Sequence, residues 1–192
     1  MSSLFRIRLI APVIVVALTA ACGASSSPSA VTSPQATDKA GTVATSGDIP
    51  DNVVWLTYSG SGFSIQYPEG WVHSSSATGA SFSDKDSHIA VAINTGAAPT
   101  TQSVTSEIGA IPGATVTAPA QQVSLLAGTA IKVSYEVLGN ADPVTGKQPR
   151  LTVVHYDIGT TGRVAVLELA AQVGVDNVDA YLTIAKSFKW LP

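Results

Sequence analysis

The stretch 62-GFSIQYPEGW-71 decides the fold of this chain of 192 residues. Its apolar residues Phe63, Ile65 and Tyr67 alternate with polar ones, which is the pattern of a β-strand with one buried face. Pro68 has no backbone N–H to donate to a neighbouring strand, so we expect the strand to end there. The stretch therefore predicts a short strand that packs three apolar side chains into a core.

The residues on either side of this strand extend the prediction. Gly70 permits a tight turn, which would return Trp71 to the core. Residues 53–58 are apolar and rich in β-forming side chains, and the Ser-Gly-Ser-Gly sequence at 59–62 is typical of a turn. We therefore predict a strand, a turn and a second strand at the start of the domain.

Alternation predicts further strands along the chain. The clearest is 131-IKVSYEV-137, in which four apolar residues face one way and Lys132, Ser134 and Glu136 face the other. The Gly-Thr-Thr-Gly sequence at 159–162 predicts a hairpin between the two strands that flank it. The other predicted strands are 81–84, 88–94, 121–125, 151–158 and 164–171.

Two segments have helical rather than alternating patterns. Residues 100–111 are followed by Pro112 and Gly113, which end a helix. Near the C-terminus, Asp176 can cap a helix whose buried face we expect to contain Val178, Tyr181, Leu182, Ala185 and Phe188. The order of elements predicts an α+β fold: a single domain with a mostly antiparallel β-sheet flanked by helices, an α/β/α sandwich.

Two short motifs of this domain resemble those of the PsbP/Mog1-like domains, including the bacterial PsbP-like lipoproteins. The matching positions are Phe63, Ile65, Tyr67, Pro68, Gly70, Trp71, Ser187 and Phe188. The resemblance implies a central antiparallel sheet flanked by helices. It also implies an adaptor, assembly factor or stabiliser of a larger complex rather than an enzyme. The metal-linked function of the photosynthetic members is not carried over, because no metal-binding residue matches.

The N-terminal residues 1–21 resemble a bacterial lipoprotein signal peptide. A positive head with Arg6 and Arg8 precedes an apolar run that is shorter than the ~20 residues of a membrane span, and Cys22 is the only cysteine of the chain. The resemblance implies cleavage before Cys22 and acylation of its thiol and amine, although Thr19 occupies the place where leucine is favoured. The alternative is an ordinary secretory signal, which would leave an unpaired thiol in an oxidising compartment.

The residues after the cysteine predict a flexible tether over 22–50, followed by a PsbP/Mog1-like globular domain over 51–192. The tether is rich in Ser, Thr, Ala, Gly and Pro and would span roughly 30 Å. The net charge of −3 makes nucleic acid a poor partner. We expect the domain to face the extracytoplasmic side of the cell membrane or outer membrane, held there by the lipid on Cys22.

The sequence offers no recognisable catalytic or metal-binding motif. His73, His88 and His155 lack the spacing of metal ligands, and residues 84–95 lack the glycine and glutamate of an EF-hand loop. Residues 139–150 lack the first glycine and the final Ser or Thr of a phosphate-binding loop. A nucleophile elbow is also absent. We therefore predict no catalytic residue, no metal site, no cofactor and no enzymatic activity.

The long connection at 139–149 is the predicted partner-binding surface. It is about twice the typical length of a strand connection, and long ordered loops are often functional. Asn140, Asp142, Lys147 and Gln148 offer mixed polar contacts to a partner. The alternative is a solvated hairpin connection without a role in binding.

Together these features favour a lipid-anchored extracytoplasmic interaction module for an envelope protein complex. A small-ligand-binding lipoprotein is the first alternative, and an apolar cleft between a helix and the sheet would support it. An envelope hydrolase is a remote alternative.

Overall fold

The computed structural model describes residues 47–85 and 87–192. The predicted signal peptide 1–21, the predicted acylation site Cys22 and the tether up to residue 46 lie outside the described residues. The two described helices lack the length and hydropathy that a membrane-crossing helix requires.

The described chain forms strands, a helix, more strands and a second helix. The strands are β1 (Trp55–Gly60), β2 (Phe63–Pro68), β3 (Val72–Ser76), β4 (Gly79–Asp84), β5 (Ser87–Thr95), β6 (Thr115–Leu125), β7 (Gly128–Leu138), β8 (Arg150–Thr160), β9 (Arg163–Gln172) and β10 (Lys189–Trp190). The helices are α1 (Thr101–Gly109) and α2 (Val178–Ser187). The strands form a seven-stranded sheet in the order β3-β4-β5-β9-β8-β7-β6 and a three-stranded sheet in the order β1-β2-β10.

All the strand pairs of both sheets are antiparallel among the described residues, as the sequence predicts. α1 packs on one face of the large sheet, where Val104 and Ile108 contact Ile131, Val133 and Leu151. The opposite face is covered by α2 and the small sheet, and this side contains the larger core. The fold class is therefore the predicted α+β sandwich.

The first hairpin turns at Ser61 and Gly62, which both have a positive φ of 53° and 80°. Two such residues form the tight turn that matches the twist of paired strands, and glycine adopts this conformation without steric cost. The strand that follows is β2, which ends at Pro68 as predicted. Phe63 and Ile65 are fully buried, as predicted, whereas Tyr67 and Trp71 are only partly buried and pack against the core.

The buried face of α2 differs from the predicted one. Val178 and Leu182 are 72% and 41% exposed, whereas Tyr181, Ile184 and Ala185 are buried. Ile184 and Ala185 follow Tyr181 by three and four positions, so these three side chains lie on one side of the helix. This buried stripe is narrower than the predicted face, and Val178 and Leu182 lie outside it.

The cap of α2 also differs from the prediction. The N-cap residue is Asn177 rather than Asp176, and its buried side chain accepts a hydrogen bond from the Ile49 N–H at 2.8 Å. The Asn177 amide also donates to the Gly47 carbonyl at 3.0 Å. Asn177 therefore holds the chain where it enters the domain, within the range predicted as tether.

Candidate functional site

A cluster of ionisable side chains lies between α1 and the large sheet, on a face that is otherwise apolar. Because side chains alternate along a strand, His155 and Asp157 of β8 share the α1 side with Leu151 and Val153. Glu168 of β9 is the direct cross-strand neighbour of His155. We call His155, Asp157, Glu168 and Tyr135 of β7 the buried network.

The buried network is connected by short contacts on both sides of the imidazole. His155 is only 1% exposed. Its Nε2 lies 3.0 Å from Oδ1 of Asp157, and its Nδ1 lies 3.3 Å from Oε1 of Glu168. The Tyr135 hydroxyl donates to the same Glu168 oxygen at 2.9 Å. Glu168 therefore fixes the orientation of the ring from one side.

The environment shifts the pKa values of these groups. Burial lowers the pKa of His155, but hydrogen bonds with Asp157 and Glu168, together with their negative charge, raise it overall to about 9. The hydrogen bond with His155 holds the pKa of Glu168 below its usual range, although burial opposes this effect. Burial raises the pKa of Tyr135, and the charge of Glu168 adds to the shift. At neutral pH the buried network therefore contains an imidazolium beside the ionised carboxylate of Glu168.

Two further ionisable residues border the buried network. Glu107 extends from α1, and its pKa is raised by burial first and then by the charge of Asp157. His88 of β5 lies on the same face of the sheet, and its pKa is lowered by burial despite the nearby charge of Glu168. Glu107, His155 and Asp157 place one ligand-type atom each within 4.8 Å of one another.

The predicted partner-binding loop at 139–149 is held in shape by hydrogen bonds of its own. Its base is closed by the Gly139 N–H, which donates to the Pro149 carbonyl at 2.8 Å. Oδ1 of Asp142 accepts from the Val144 N–H at 3.0 Å, and it accepts from both the N–H and the hydroxyl of Thr145. These bonds, led by the one from the Thr145 N–H, hold the pKa of Asp142 below its usual range.

The loop forms one wall of a cleft, which we call the loop cleft. Ser83, Lys85 and His88 line the opposite wall, and the volume of the cleft is about 370 Å³. Asn140 and Asp142 line the cleft from the loop side. The structure therefore places two of the four predicted binding residues next to a histidine that sequence reasoning did not connect with them.

The other predicted residues of the loop have different surroundings. Nε2 of Gln148 donates to the Gly139 carbonyl at 3.1 Å, so this side chain helps to close the loop. Lys147 is exposed, and its backbone carbonyl accepts from the Asp142 N–H. Gln148 and Asp142 thus shape the loop through their side chains, while Asn140 and Lys147 are exposed to solvent.

The three histidines do not converge. His73 is exposed on β3, where its ring lies beside Tyr67 and Phe82, with centroids 6.1 and 6.2 Å away. His88 borders the loop cleft, and His155 lies in the buried network. Sequence reasoning missed the partners of His155, although the alternating His and Asp in the apolar strand 151-LTVVHYDI-158 mark a polar pair on a buried face.

A second groove lies between α2 and the small sheet. Its volume is about 380 Å³, and its lining includes Gln66, Lys186 and Lys189 together with the hydroxyls of Thr57 and Ser64. Leu126 is the large apolar residue of this lining. Most of the lining side chains are polar, but most of the surface that they expose to the groove is apolar. The groove therefore has the position and surface character that the predicted small-ligand alternative requires.

The chain matches no protein-family model and no curated protein. Its fold is similar to that of cyanobacterial PsbP (CyanoP) from Synechocystis sp. PCC 6803, with a TM-score of 0.51 at 17% identity over 75% of this chain and 98% of that one. The Ran-binding protein Mog1p of Saccharomyces cerevisiae gives a TM-score of 0.49 at 10% identity, over 73% and 96% of the two chains. LpqN, involved in cell envelope biogenesis of Mycobacterium tuberculosis, gives 0.40 at 18% identity, over 68% and 83%.

The similarity to CyanoP shows that this chain has a PsbP/Mog1-like fold, as the two sequence motifs imply. At this level of identity the similarity concerns the fold alone, because one fold can host unrelated functions. The function must therefore be argued from the surfaces and sites of this chain.

Proposed function

We propose that the protein is a lipid-anchored extracytoplasmic interaction module that binds an envelope protein through the loop at 139–149. The observation that carries the proposal is the presentation of an apolar side chain by a hydrogen-bonded loop. Val144, at the tip, is 91% exposed, and the Asp142 side chain accepts a hydrogen bond from its N–H. We take this side chain, with the polar residues beside it on the same loop, as the apolar contact that a partner would bury.

The internal hydrogen bonds of the loop favour binding because they lower the free-energy cost of ordering the loop when a partner binds. Association costs about 0.5–1.5 kcal/mol for each rotamer-rich side chain that becomes ordered, and ordering a loop adds to this cost. Asp142 and Gln148 already hold the loop in one shape. Leu138, at the end of β7, is a second exposed apolar residue beside the loop. A partner could thus bury both apolar side chains without first ordering the backbone.

The place where the chain enters the domain also supports the proposal. The Gly47 carbonyl accepts from the hydroxyl of Ser87 at the start of β5, at 3.0 Å. The neighbouring His88 lines the loop cleft, so the entry point and the loop lie at the same end of the large sheet. A tether from a lipidated Cys22 would therefore join the domain on the side of the binding loop. The envelope location itself rests on the resemblance of residues 1–22 to a lipoprotein signal.

Site-specific photocrosslinking in intact cells tests this proposal. A photoreactive amino acid at position 144 should give a discrete adduct with one envelope protein. The matched control is position 178, because Val178 is also a highly exposed valine but lies on α2. The proposal predicts no such adduct at position 178. An equal adduct at both positions, or none at position 144, would contradict it.

A small-ligand function is the second candidate, and the loop cleft is the observation that favours it. Its volume of about 370 Å³ is within the usual range of about 300–1,000 Å³ for small-molecule sites. A metabolite that binds there should raise the Tm of the wild-type protein but not that of a Lys85→Ala variant.

We propose no enzymatic activity for this chain. Labelling of the purified protein by a serine-reactive probe would contradict this part of the proposal.

A further inference from the structure

We propose that Glu107, His155 and Asp157 form a binding site for a divalent transition-metal cation, with Zn²⁺ as the best match. The candidate ligand atoms lie within 4.8 Å of one another. One imidazole nitrogen and carboxylate oxygens are a donor set that zinc accepts in proteins. The site is separate from the proposed binding loop and does not depend on its function.

The charge of the site supports a bound cation. Three carboxylates, those of Glu107, Asp157 and Glu168, lie around one imidazole, and His155 and Asp157 are buried whereas Glu107 is exposed. In the part of the chain that the structure describes, none of the three forms an ion pair with lysine or arginine. Asp157 and Glu168 contact the imidazole directly, and the Glu107 carboxylate is a further oxygen donor within reach of the same place. A divalent cation that binds Nε2 of His155 would replace the proton held there, and that proton would be released to solvent.

The orientation of the imidazole also suits a metal ligand. Glu168 contacts Nδ1 of His155, and Tyr135 in turn donates to the same oxygen of Glu168. This arrangement directs Nε2 toward Asp157, whose Oδ1 lies 3.0 Å away. This distance is that of a hydrogen bond, and a movement of a few tenths of an ångström would open it to the roughly 3.3 Å that separates ligand atoms around a tetrahedral zinc. Carboxylates that hold the second ring nitrogen are common behind metal-bound histidines.

The three ligands come from two elements that pack against each other. His155 and Asp157 are on β8 of the sheet, and Glu107 is on α1 between the buried residues Val104 and Ile108. A cation at this place would join the helix to the sheet. We therefore expect metal binding to raise the Tm of the protein in addition to giving a direct binding signal.

The test is a titration of Zn²⁺ into the full chain in detergent, followed by calorimetry. Every sample carries Cys22→Ser so that the thiol cannot bind the metal. We expect one equivalent of Zn²⁺ to bind, and Co²⁺ in its place to give the visible absorption of a four-coordinate ion. Glu107→Gln and Asp157→Asn should each weaken binding at least about tenfold.

Two controls and a folding check make the result decisive. Glu69→Gln and His73→Ala alter an exposed carboxylate and an exposed imidazole elsewhere, so they should leave Zn²⁺ affinity unchanged. Circular dichroism of the metal-free variants shows which are folded. Glu107 is exposed, so we expect Glu107→Gln to fold. If Asp157→Asn does not fold, the Zn²⁺ affinity of Glu107→Gln alone tests the proposal. The proposal is overturned if no saturable binding occurs, or if folded Glu107→Gln binds as tightly as the parent.

Discussion

The ring of Phe63 in β2 stacks on the ring of Phe188, which directly follows α2, with centroids 5.6 Å apart and planes inclined by 13°. This contact joins the two sequence motifs on which the resemblance to PsbP/Mog1-like domains rests. Both side chains are fully buried, and the Ser187 hydroxyl accepts a hydrogen bond from the Gln66 N–H beside them at 2.8 Å. The motifs therefore act together to fix α2 on the small sheet.

Removing either ring should destabilise the domain strongly. We expect Phe188→Ala and Phe63→Ala each to lower the free energy of unfolding by about 3–5 kcal/mol, because each leaves a cavity in the core. The double variant should show a coupling energy of about 0.5–1.5 kcal/mol, as stacked aromatic pairs do. Urea denaturation measures all three values. Strictly additive losses would show that the stacking contact does not contribute beyond burial.

Trp71 should contribute less than these two rings. Its side chain packs against the main core but is only partly buried. We expect Trp71→Ala to lower the free energy of unfolding by about 1–3 kcal/mol, since part of the ring remains in water in the native state. Urea denaturation of this variant beside Phe188→Ala provides the comparison. A loss as large as that of Phe188→Ala would show that Trp71 is a full core residue.

The loop at 139–149 should lose order in acid because of Asp142. The pKa of Asp142 is lower in the folded loop than its ordinary value, since its carboxylate accepts hydrogen bonds from Thr145 and Val144. The stabilisation is therefore fully present above the ordinary aspartate pKa and is lost as the pH falls through the lowered value. The NMR shift of the Thr145 amide should follow this titration. A midpoint at or above the ordinary value would be inconsistent with the observed bonds.

The predicted lipid anchor has its own test, because Cys22 lies outside the described residues. Wild-type protein from its host should partition into the detergent phase, and its intact mass should correspond to a chain that begins at an acylated Cys22. Cys22→Ala should prevent both the cleavage and the added mass. Wild-type protein found without acyl groups in the aqueous phase would exclude the anchor.

The sequence predicts best those strands in which apolar and polar residues alternate. The buried residues of 131–137 follow period two, and the structure places them in β7. In β2 Phe63 and Ile65 are buried as the alternation predicts, but Ser64 between them is buried too and Tyr67 is only partly buried. β3 was missed because it is exposed along its whole length and is mostly serine, so it has no apolar period. The first half of β6 was missed because it is an irregular edge strand that contains Pro119.

The buried network could be predicted only in part. His155 and Asp157 stand two residues apart in an apolar strand, so their common face is visible in the sequence. Their contact with Glu168 depends on the register of β8 and β9, which pairs His155 with Glu168. Glu107 joins them through the packing of α1 on the sheet. Register and helix packing are tertiary features, which residue patterns along one strand do not specify.

Replacement of the loop tests the central claim, that this domain binds its partner through residues 139–149. Leu138 and Arg150 are paired in register, so an Asn-Gly turn can join β7 directly to β8. Because the variant lacks position 144, the measurement is the yield of the envelope protein identified through that position after intact cells are treated with a general chemical crosslinker. We predict that a folded, membrane-bound variant loses this capture down to background. Undiminished capture by that variant would contradict the account.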